Sequence, residues 1–404
     1  MRGGEPINMR RAVCLFAVCA FVLSGCAGGG TPPLPQTTLA DALKANLQAY
    51  VSQYGTAEHI SAAAVSVSLK GSSSTIDAAA GTTSYGGTTP ATASNLYQIG
   101  SNTKAMTAVI MLQLEAEGKV NINQTVGFWL PQYGPTWANV TIRQLFNMTS
   151  GIETYDASQA FQTTYAASPT AFYPATQLIG YVNPATPLLP GWTYSNTNYE
   201  LAQLIIEKVT GHPYATEIQN RIFTPNGMQN TYYSADISPP NVQSQMVSGY
   251  FWNSSSDNTG LAPLLGVDQK PLSISWAQAA GGVVSSMSDM TKWYRAMYEG
   301  SALPAAQRTE LMTLVSQATG QPITSVTTAD PRGFGLGVAQ ALLPSVGGAI
   351  WFYEGETLGY RVLHAWFPSQ DVVIVIGLNS QPTQDHIGEL ITTIYGTLKS
   401  YNAL

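Results

Sequence analysis

Beyond position 26 this chain of 404 residues contains no cysteine; all three, Cys14, Cys19 and Cys26, lie at its start. A disulfide framework, a thiolate metal site and a cysteine nucleophile are thereby excluded from the rest. Charge is also scarce, at 10% of residues, and the net charge of −6 argues against a nucleic-acid partner. There are four histidines, His59, His212, His364 and His386. None has a setting that suggests a Ser-His-Asp triad, and neither a G-x-S-x-G elbow nor an H-E-x-x-H motif occurs. Each histidine is therefore read as a surface or satisfied core residue.

What the start does contain is an export pattern. Met9-Arg10-Arg11 supplies a positive segment, with Met9 an alternative start, and Ala12 to Leu23 supplies an apolar one. That run is too short to span a bilayer comfortably. Leu23-Ser24-Gly25-Cys26 resembles the bacterial lipobox, so residues 1–26 are read as a lipoprotein signal with Cys26 as the acylated residue. Residues 27–38 form a glycine- and proline-rich tether. The expectation is an exported bacterial lipoprotein on the periplasmic side, held at the outer membrane through Cys26 alone.

The folded part is organised around Gly100-Ser101-Asn102-Thr103-Lys104, the chain's one S-x-x-K. Positions three apart share a helix face, which sets the Ser101 hydroxyl beside the Lys104 amine. The run from Ala105 to Glu117 is apolar on nearly every side, so this helix is expected at the centre of a domain, with Gly118 ending it. A buried lysine loses hydration and its pKa falls. A neutral amine beside a serine can take the hydroxyl proton. The bland alternative is a capping serine with an unrelated lysine one turn on.

Around that element the pattern predicts a helix over Leu39–Tyr54 and a hairpin of Ala64–Leu69 with Thr75–Ala80. Further helices are expected from Thr141 to Met148, over Asn198–Val209 with Gly211 as the stop, over Ser288–Tyr298, over Ala305–Val315 and over His386–Leu398. Strands are expected at Gly335–Leu343, Ala349–Tyr353, Tyr360–Phe367 and Val372–Leu378, the last two joined through Pro368–Asp371. The fold class is α+β: an antiparallel sheet domain from residues 39–122 and 271–404, flanked by N- and C-terminal helices, with a mostly helical insert over 123–270. A second chemical element is Tyr194-Ser195-Asn196, presented after the Pro190-Gly191 turn and before a helix. A phenol near an amine can pass protons, and an amide can grip a carbonyl. Tyr181-Val182-Asn183 offers the same Tyr-x-Asn pattern.

Taken together these segments resemble the serine β-lactamase and penicillin-binding protein superfamily, in the branch of class C β-lactamases, D-alanyl-D-alanine carboxypeptidases and related esterases. Ser101-Asn102-Thr103-Lys104 resembles its S-x-x-K. Pro190-Gly191 followed by Tyr194-Ser195-Asn196 resembles its P-G-x-x-Y-S-N and selects Tyr194 over Tyr181. Leu145-Phe146-Asn147-Met148-Thr149-Ser150-Gly151 is similar to L-L-x-H-T-S-G, with Met148 where histidine is usual. Ala280-Gly281-Gly282-Val283-Val284-Ser285-Ser286 is similar to A-G-G-L-x-S-T. The resemblance implies a β-lactamase/transpeptidase-like fold and a cofactor-free acyl-enzyme mechanism with no metal. Ser101 is then the nucleophile, and Lys104 and Tyr194 exchange its proton. Asn196 binds substrate, and the backbone N–H groups of Ser101 and Glu356 form the oxyanion hole.

The third element departs from the pattern. Where the family carries Lys-Thr-Gly or His-x-Gly, this chain has Tyr353-Glu354-Gly355-Glu356. A substrate carboxylate wants positive charge at that edge, and two glutamates oppose it unless Arg361 or Arg332 compensates. Residues 353–356 are read as the substrate-binding edge. The motifs imply a serine hydrolase acting on β-lactam or D-Ala-D-Ala-type amides, on a small molecule or a peptidoglycan peptide. The alternatives are a carboxylesterase on the same scaffold, or a silent, lipid-anchored wall-binding protein.

Overall fold

The structure, a computed structural model, describes residues 37–404. The signal, Cys26 and the tether as far as residue 36 lie outside the described residues. Helix α1 (Leu39–Tyr54) starts at a capping box: the Thr38 side chain accepts the Asp41 amide, and Asp41 reaches back to Thr38. Strands β1 (Ala62–Ser68) and β2 (Ile76–Gly81) then form the expected hairpin. Every residue of β1 is buried, so its two faces both meet a core. Helix α2 (Thr103–Ala116) is buried on all sides from Thr103 to Leu112, as its composition requires, and Gly118 follows at φ 71°.

Helix α3 (Thr197–Thr210) closes on Gly211 in the left-handed region, φ 72°. Helix α4 (Met287–Glu299) is capped by Ser286, and helix α5 (Ile387–Ser400) ends the chain's regular structure. Between α4 and α5 run β3 (Leu314–Ser316), β4 (Pro322–Ile323), β5 (Arg332–Phe334), β6 (Ala339–Leu343), β7 (Gly348–Glu356), β8 (Arg361–Phe367) and β9 (Val372–Leu378). They join β1 and β2 in a nine-stranded antiparallel sheet, ordered β2-β1-β9-β8-β7-β6-β5-β3-β4. The α+β class holds. Strand β9 explains its unbroken apolar run: Val373 and Val375 enter the core shared with α4, and Ile374 and Ile376 enter the core under α1 and α5.

Apart from α3, residues 123–270 carry short helices and long connections, with strands at Thr231–Tyr233 and Tyr250–Trp252. Thr231–Tyr233 pairs with Val283–Ser285, which also pairs with Tyr97–Gln98, the strand that delivers the chain to Gly100. No helix among the described residues is long and apolar enough to cross a membrane.

Two local expectations are corrected. The helix expected over Ala305–Val315 ends at Leu311, because Leu314 and Val315 are taken by the sheet: they pair with Ile323 and Pro322, and Val315 also with Phe334. The strand expected over Gly335–Leu343 is broken at Gly335–Val338 by a turn. Gly337 adopts φ 79° there, and a Cβ on it would come within 2.9 Å of the Lys104 carbonyl oxygen. The turn is thus pressed on the start of α2.

Strand β7 runs further than expected, through Glu356. Its end is locked to the turn before α2 by two glycines. A Cβ at Gly355 would lie 2.1 Å from the Ile99 carbonyl oxygen, and one at Gly100 would lie 2.7 Å from the Glu356 nitrogen. Gly355→Ala is expected to cost about 1–3 kcal/mol through forced backbone separation. Urea denaturation measures it, and wild-type stability would mean that strand and turn are not in contact.

Candidate active site

Ser101 lies in a single 3-10 turn, Gly100–Asn102, that runs directly into α2. This places Lys104 one turn on, with no exposed surface. The Lys104 amine lies 2.9 Å from the Ser101 hydroxyl, 2.6 Å from Asn196 Oδ1 and 2.8 Å from the Ala280 carbonyl. Ser101 Oγ is 2.5 Å from the Tyr194 hydroxyl, which also reaches Asn196 Oδ1 at 3.1 Å. The structure therefore gathers Ser101, Lys104, Tyr194 and Asn196 into one hydrogen-bonded cluster. Tyr181, the alternative tyrosine, instead packs its ring on Phe161.

The segment carrying Tyr194 is stitched to the loop after residue 145. Thr193 N–H donates to the Met148 carbonyl at 2.9 Å, Asn198 Nδ2 to the Leu145 carbonyl at 3.0 Å, and Asn196 N–H to Thr154 Oγ1 at 3.0 Å. Met148 sits at φ 63° and turns its sulfur to the Ser195 N–H at 3.4 Å. The thioether serves there as a weak hydrogen-bond acceptor for a backbone N–H.

Burial pulls the Lys104 pKa down to about 7, against the opposing pull of Asp156 and then Glu200. Close to neutrality the amine is thus partly unprotonated. A neutral amine has two N–H donors and one lone pair. The Ala280 carbonyl is acceptor-only, and Asn196 presents its oxygen. Those two partners take both N–H groups, and the lone pair is left for Ser101 Oγ. The Tyr194 phenol is held well above its ordinary range, first by desolvation and then by Tyr353. It therefore keeps its proton in the resting site, and the Lys104 amine is the group with a lone pair free to accept one.

Beneath the turn lies a second polar cluster that sequence reasoning does not find. Asn102 is fully buried; its Nδ2 donates to the Val362 carbonyl at 2.6 Å, and its Oδ1 accepts from Tyr294 at 2.5 Å and faces His364 Nδ1 at 2.9 Å. Tyr298 lies 2.9 Å from the other ring nitrogen, and burial holds His364 well below its usual pKa. His364 is a neutral core histidine that steadies the turn. No sequence signal marked it: Asn102 sits among Ser101, Thr103 and Lys104, where a polar residue is ordinary, and its partners Tyr294 and His364 lie 192 and 262 residues further on.

The edge strand separates the four residues assigned to it. Tyr353 and Gly355 face the catalytic side; Tyr353 lies directly across from His364 and packs edge-on against Phe334. Glu354 and Glu356 alternate to the other face, where their carboxylates and that of Asp385 come within 4.8 Å of one another. The expectation that two glutamate side chains line the substrate edge is corrected by this alternation. Burial, reinforced by Asp385, raises the Glu354 pKa well above the carboxylate range and favours its neutral form. Among the described residues these three carboxylates are the grouping nearest to a cation site, and the Arg361 guanidinium already supplies positive charge there by donating to Asp385.

Neither arginine replaces the family cation. Arg361 has no exposed surface and donates to Glu58 at 2.6 Å, to the Ser380 carbonyl at 2.8 Å and to Asp385. Arg332 is exposed and, through Ala341, is in register with Ile350, three residues short of Tyr353 and two strands away. Strand spacing then puts their Cα atoms roughly 14 Å apart.

The β-lactamase family profile matches residues 47–392. In sequence the chain is 29% identical over 240 residues to penicillin-binding protein 4* of Bacillus subtilis (strain 168), covering 58% of this chain and 52% of that one. It is 25% identical over 304 residues to a putative penicillin-binding protein, PbpX, of the same organism, covering 75% and 66%. The chain thus spans about half to two thirds of the length of these curated relatives. In structure it is similar to a D-stereospecific amidohydrolase from Streptomyces sp., with a TM-score of 0.72, 26% identity and coverage of 87% of this chain and 96% of that one. A D-amino acid amidase from Ochrobactrum anthropi SV3, complexed with D-phenylalanine, shares the fold at TM-score 0.73 and 20% identity, covering 89% and 99%. The chain belongs to the β-lactamase family.

Only unprotonated Lys104 can accept the Ser101 proton, so Ser101 reactivity should rise with pH as the amine titrates at about 7, then level off. Phosphonylation of Ser101 by a fluorophosphonate, followed by intact mass, checks this. Lys104→Ala should abolish the pH step and slow the reaction about 100-fold. An unchanged profile in that variant would exclude Lys104 as the base.

Proposed function

We propose that this protein is a serine hydrolase that cleaves amides through an acyl-enzyme. The observation that carries the reading is the desolvated Lys104 amine, 2.9 Å from Ser101 Oγ with both other contacts made to acceptors. Ser101 Oγ adds to the substrate carbonyl while its proton passes to Lys104. The backbone N–H groups of Ser101 and Glu356, brought together by the close approach of Gly100 to Glu356 and of Gly355 to Ile99, receive the oxyanion. As the C–N bond breaks, Tyr194 gives its proton to the leaving nitrogen and is reprotonated from Lys104. Water then releases the acyl group by the reverse sequence.

The substrate side bears on selectivity. With Tyr353 at the edge and Arg361 engaged by Glu58 and Asp385, the leaving part of the substrate is uncharged: an amino acid amide or a blocked peptide, before a free D-Ala-D-Ala carboxylate or a penicillin. The amidase and amidohydrolase relatives are in keeping with this. An ester of the same shape would acylate the same serine. The leader pattern at Cys26 adds the proposal that the enzyme works outside the cytoplasmic membrane on a lipid anchor.

Intact mass before and after exposure to D-phenylalanine p-nitrophenyl ester and to penicillin, with Ser101→Ala as control, tests the nucleophile. An adduct confined to the protein with Ser101 is expected. A blocked D-Ala-D-Ala amide should be turned over faster than the free acid, and Tyr353→Lys should narrow that gap. A wild-type preference for the free acid would overturn the selectivity, and no adduct with either reagent would overturn the mechanism.

A further inference from the structure

We infer that Asp156 is a positioning residue of this site: its carboxylate fixes the orientation of the Asn196 amide and, through that amide, the direction in which the Lys104 lone pair points. The inference rests on the acyl-enzyme reading above. Asn196 Nδ2 donates to Asp156 Oδ2 at 2.9 Å, and its Oδ1 faces Lys104 at 2.6 Å and Tyr194 at 3.1 Å. An ionised carboxylate only accepts hydrogen bonds. Reversing the amide would set its oxygen against the carboxylate and leave the Nδ2 protons facing Lys104.

The reversal matters because of proton counting at the amine. With Oδ1 facing it, the neutral Lys104 amine spends its two N–H groups on Asn196 and Ala280, and its lone pair remains for Ser101. With Nδ2 facing it, the lone pair would be consumed by Asn196, and the second N–H would turn to Ser101 Oγ. The amine would then be a donor to the nucleophile, which disables it as a base.

Asp156 is itself held in place. It accepts from Thr154 Oγ1, and that same oxygen accepts the Asn196 backbone N–H at 3.0 Å. Thr154 and Asp156 therefore grip both the backbone and the side chain of Asn196, while Asp156 touches none of the reacting atoms. The groups facing the amine are the carboxyls of Asp156 and Glu200, which favour its charged form, and the rings of Tyr194 and Tyr199, whose centroids lie 4.9 and 5.2 Å from it. Glu200 has no exposed surface, and burial holds it well above the carboxylate range. Asp156 is thus the partner whose removal subtracts a charge.

The test compares Asp156→Ala with Asp156→Asn on D-phenylalanine p-nitroanilide, measuring kcat, KM and the pH dependence of kcat/KM. Alanine removes the acceptor and should lower kcat about 100-fold, with KM within about two-fold. Asparagine keeps a carbonyl acceptor and should restore kcat to within about ten-fold. Its acid limb should move to lower pH, because the charge favouring the ammonium form is gone. Wild-type kcat and an unmoved acid limb in both variants would overturn the inference, as would equal losses with no movement. If the alanine variant does not fold, an unmoved acid limb in the asparagine variant alone overturns it. A wild-type protein that forms no Ser101 adduct defeats the hydrolytic reading instead, so the two failures are distinguishable.

Discussion

Lys104 has no exposed surface, and the helix that carries it is apolar on every side from Ala105 to Leu112, apart from Thr107. Withdrawing an ammonium from water costs on the order of several kcal/mol after relaxation. The site limits that cost by giving the amine three hydrogen-bond partners drawn from three separate stretches of chain: Ser101, Asn196 and Ala280. Each stretch must then be held to within a hydrogen bond's tolerance, and much of the surrounding architecture is intelligible as the means. The Gly335–Val338 turn presses on the Lys104 carbonyl, and the loop after residue 145 anchors Thr193, Asn196 and Asn198.

The Ser101 turn is steadied from below by chemistry of a different kind. Asn102, Tyr294, His364 and Tyr298 form a buried chain in which the asparagine bonds to β8 through Val362. The Ser101 turn is therefore tied to the sheet by side-chain hydrogen bonds and by the backbone contacts of Gly100 with Glu356 and of Gly355 with Ile99. Together the two ties set where the Ser101 and Glu356 N–H groups lie. The glycines set how close β7 approaches, and Asn102 sets how the turn is rotated against it.

Much of this was legible in the sequence where a single period governed the segment. Helices α1 and α2 and strand β9 follow directly from an apolar stripe at helical spacing, all-round apolarity and an unbroken apolar run. Ser101 and Lys104 are legible because their three-residue spacing is itself the geometry. Tyr194 needed the resemblance, since Tyr181 carries the same Tyr-x-Asn pattern and only the preceding Pro190-Gly191 separates the two in sequence. Asp156 was not legible, because its partner lies 40 residues away on a different element. The Ala305–Val315 helix stops short because Leu314 and Val315 are taken into the sheet between two other strands, a tertiary pairing that local periodicity does not register.

The glutamates of the edge strand show how one misplaced boundary changes a functional reading. A strand ending at Tyr353 leaves Glu354 and Glu356 in a loop, free to face the substrate. A strand continuing to Glu356 puts successive side chains on opposite faces. Tyr353 and Gly355 then belong to the site, and Glu354 and Glu356 belong to the face that holds Arg361, Asp385 and Glu58. Breaking a buried ion pair of this kind costs about 3–5 kcal/mol, so Arg361 is committed to stability and is not a reserve cation for the cleft. Charge at the edge of the site is set by position 353 alone, and in this chain that position is a neutral phenol.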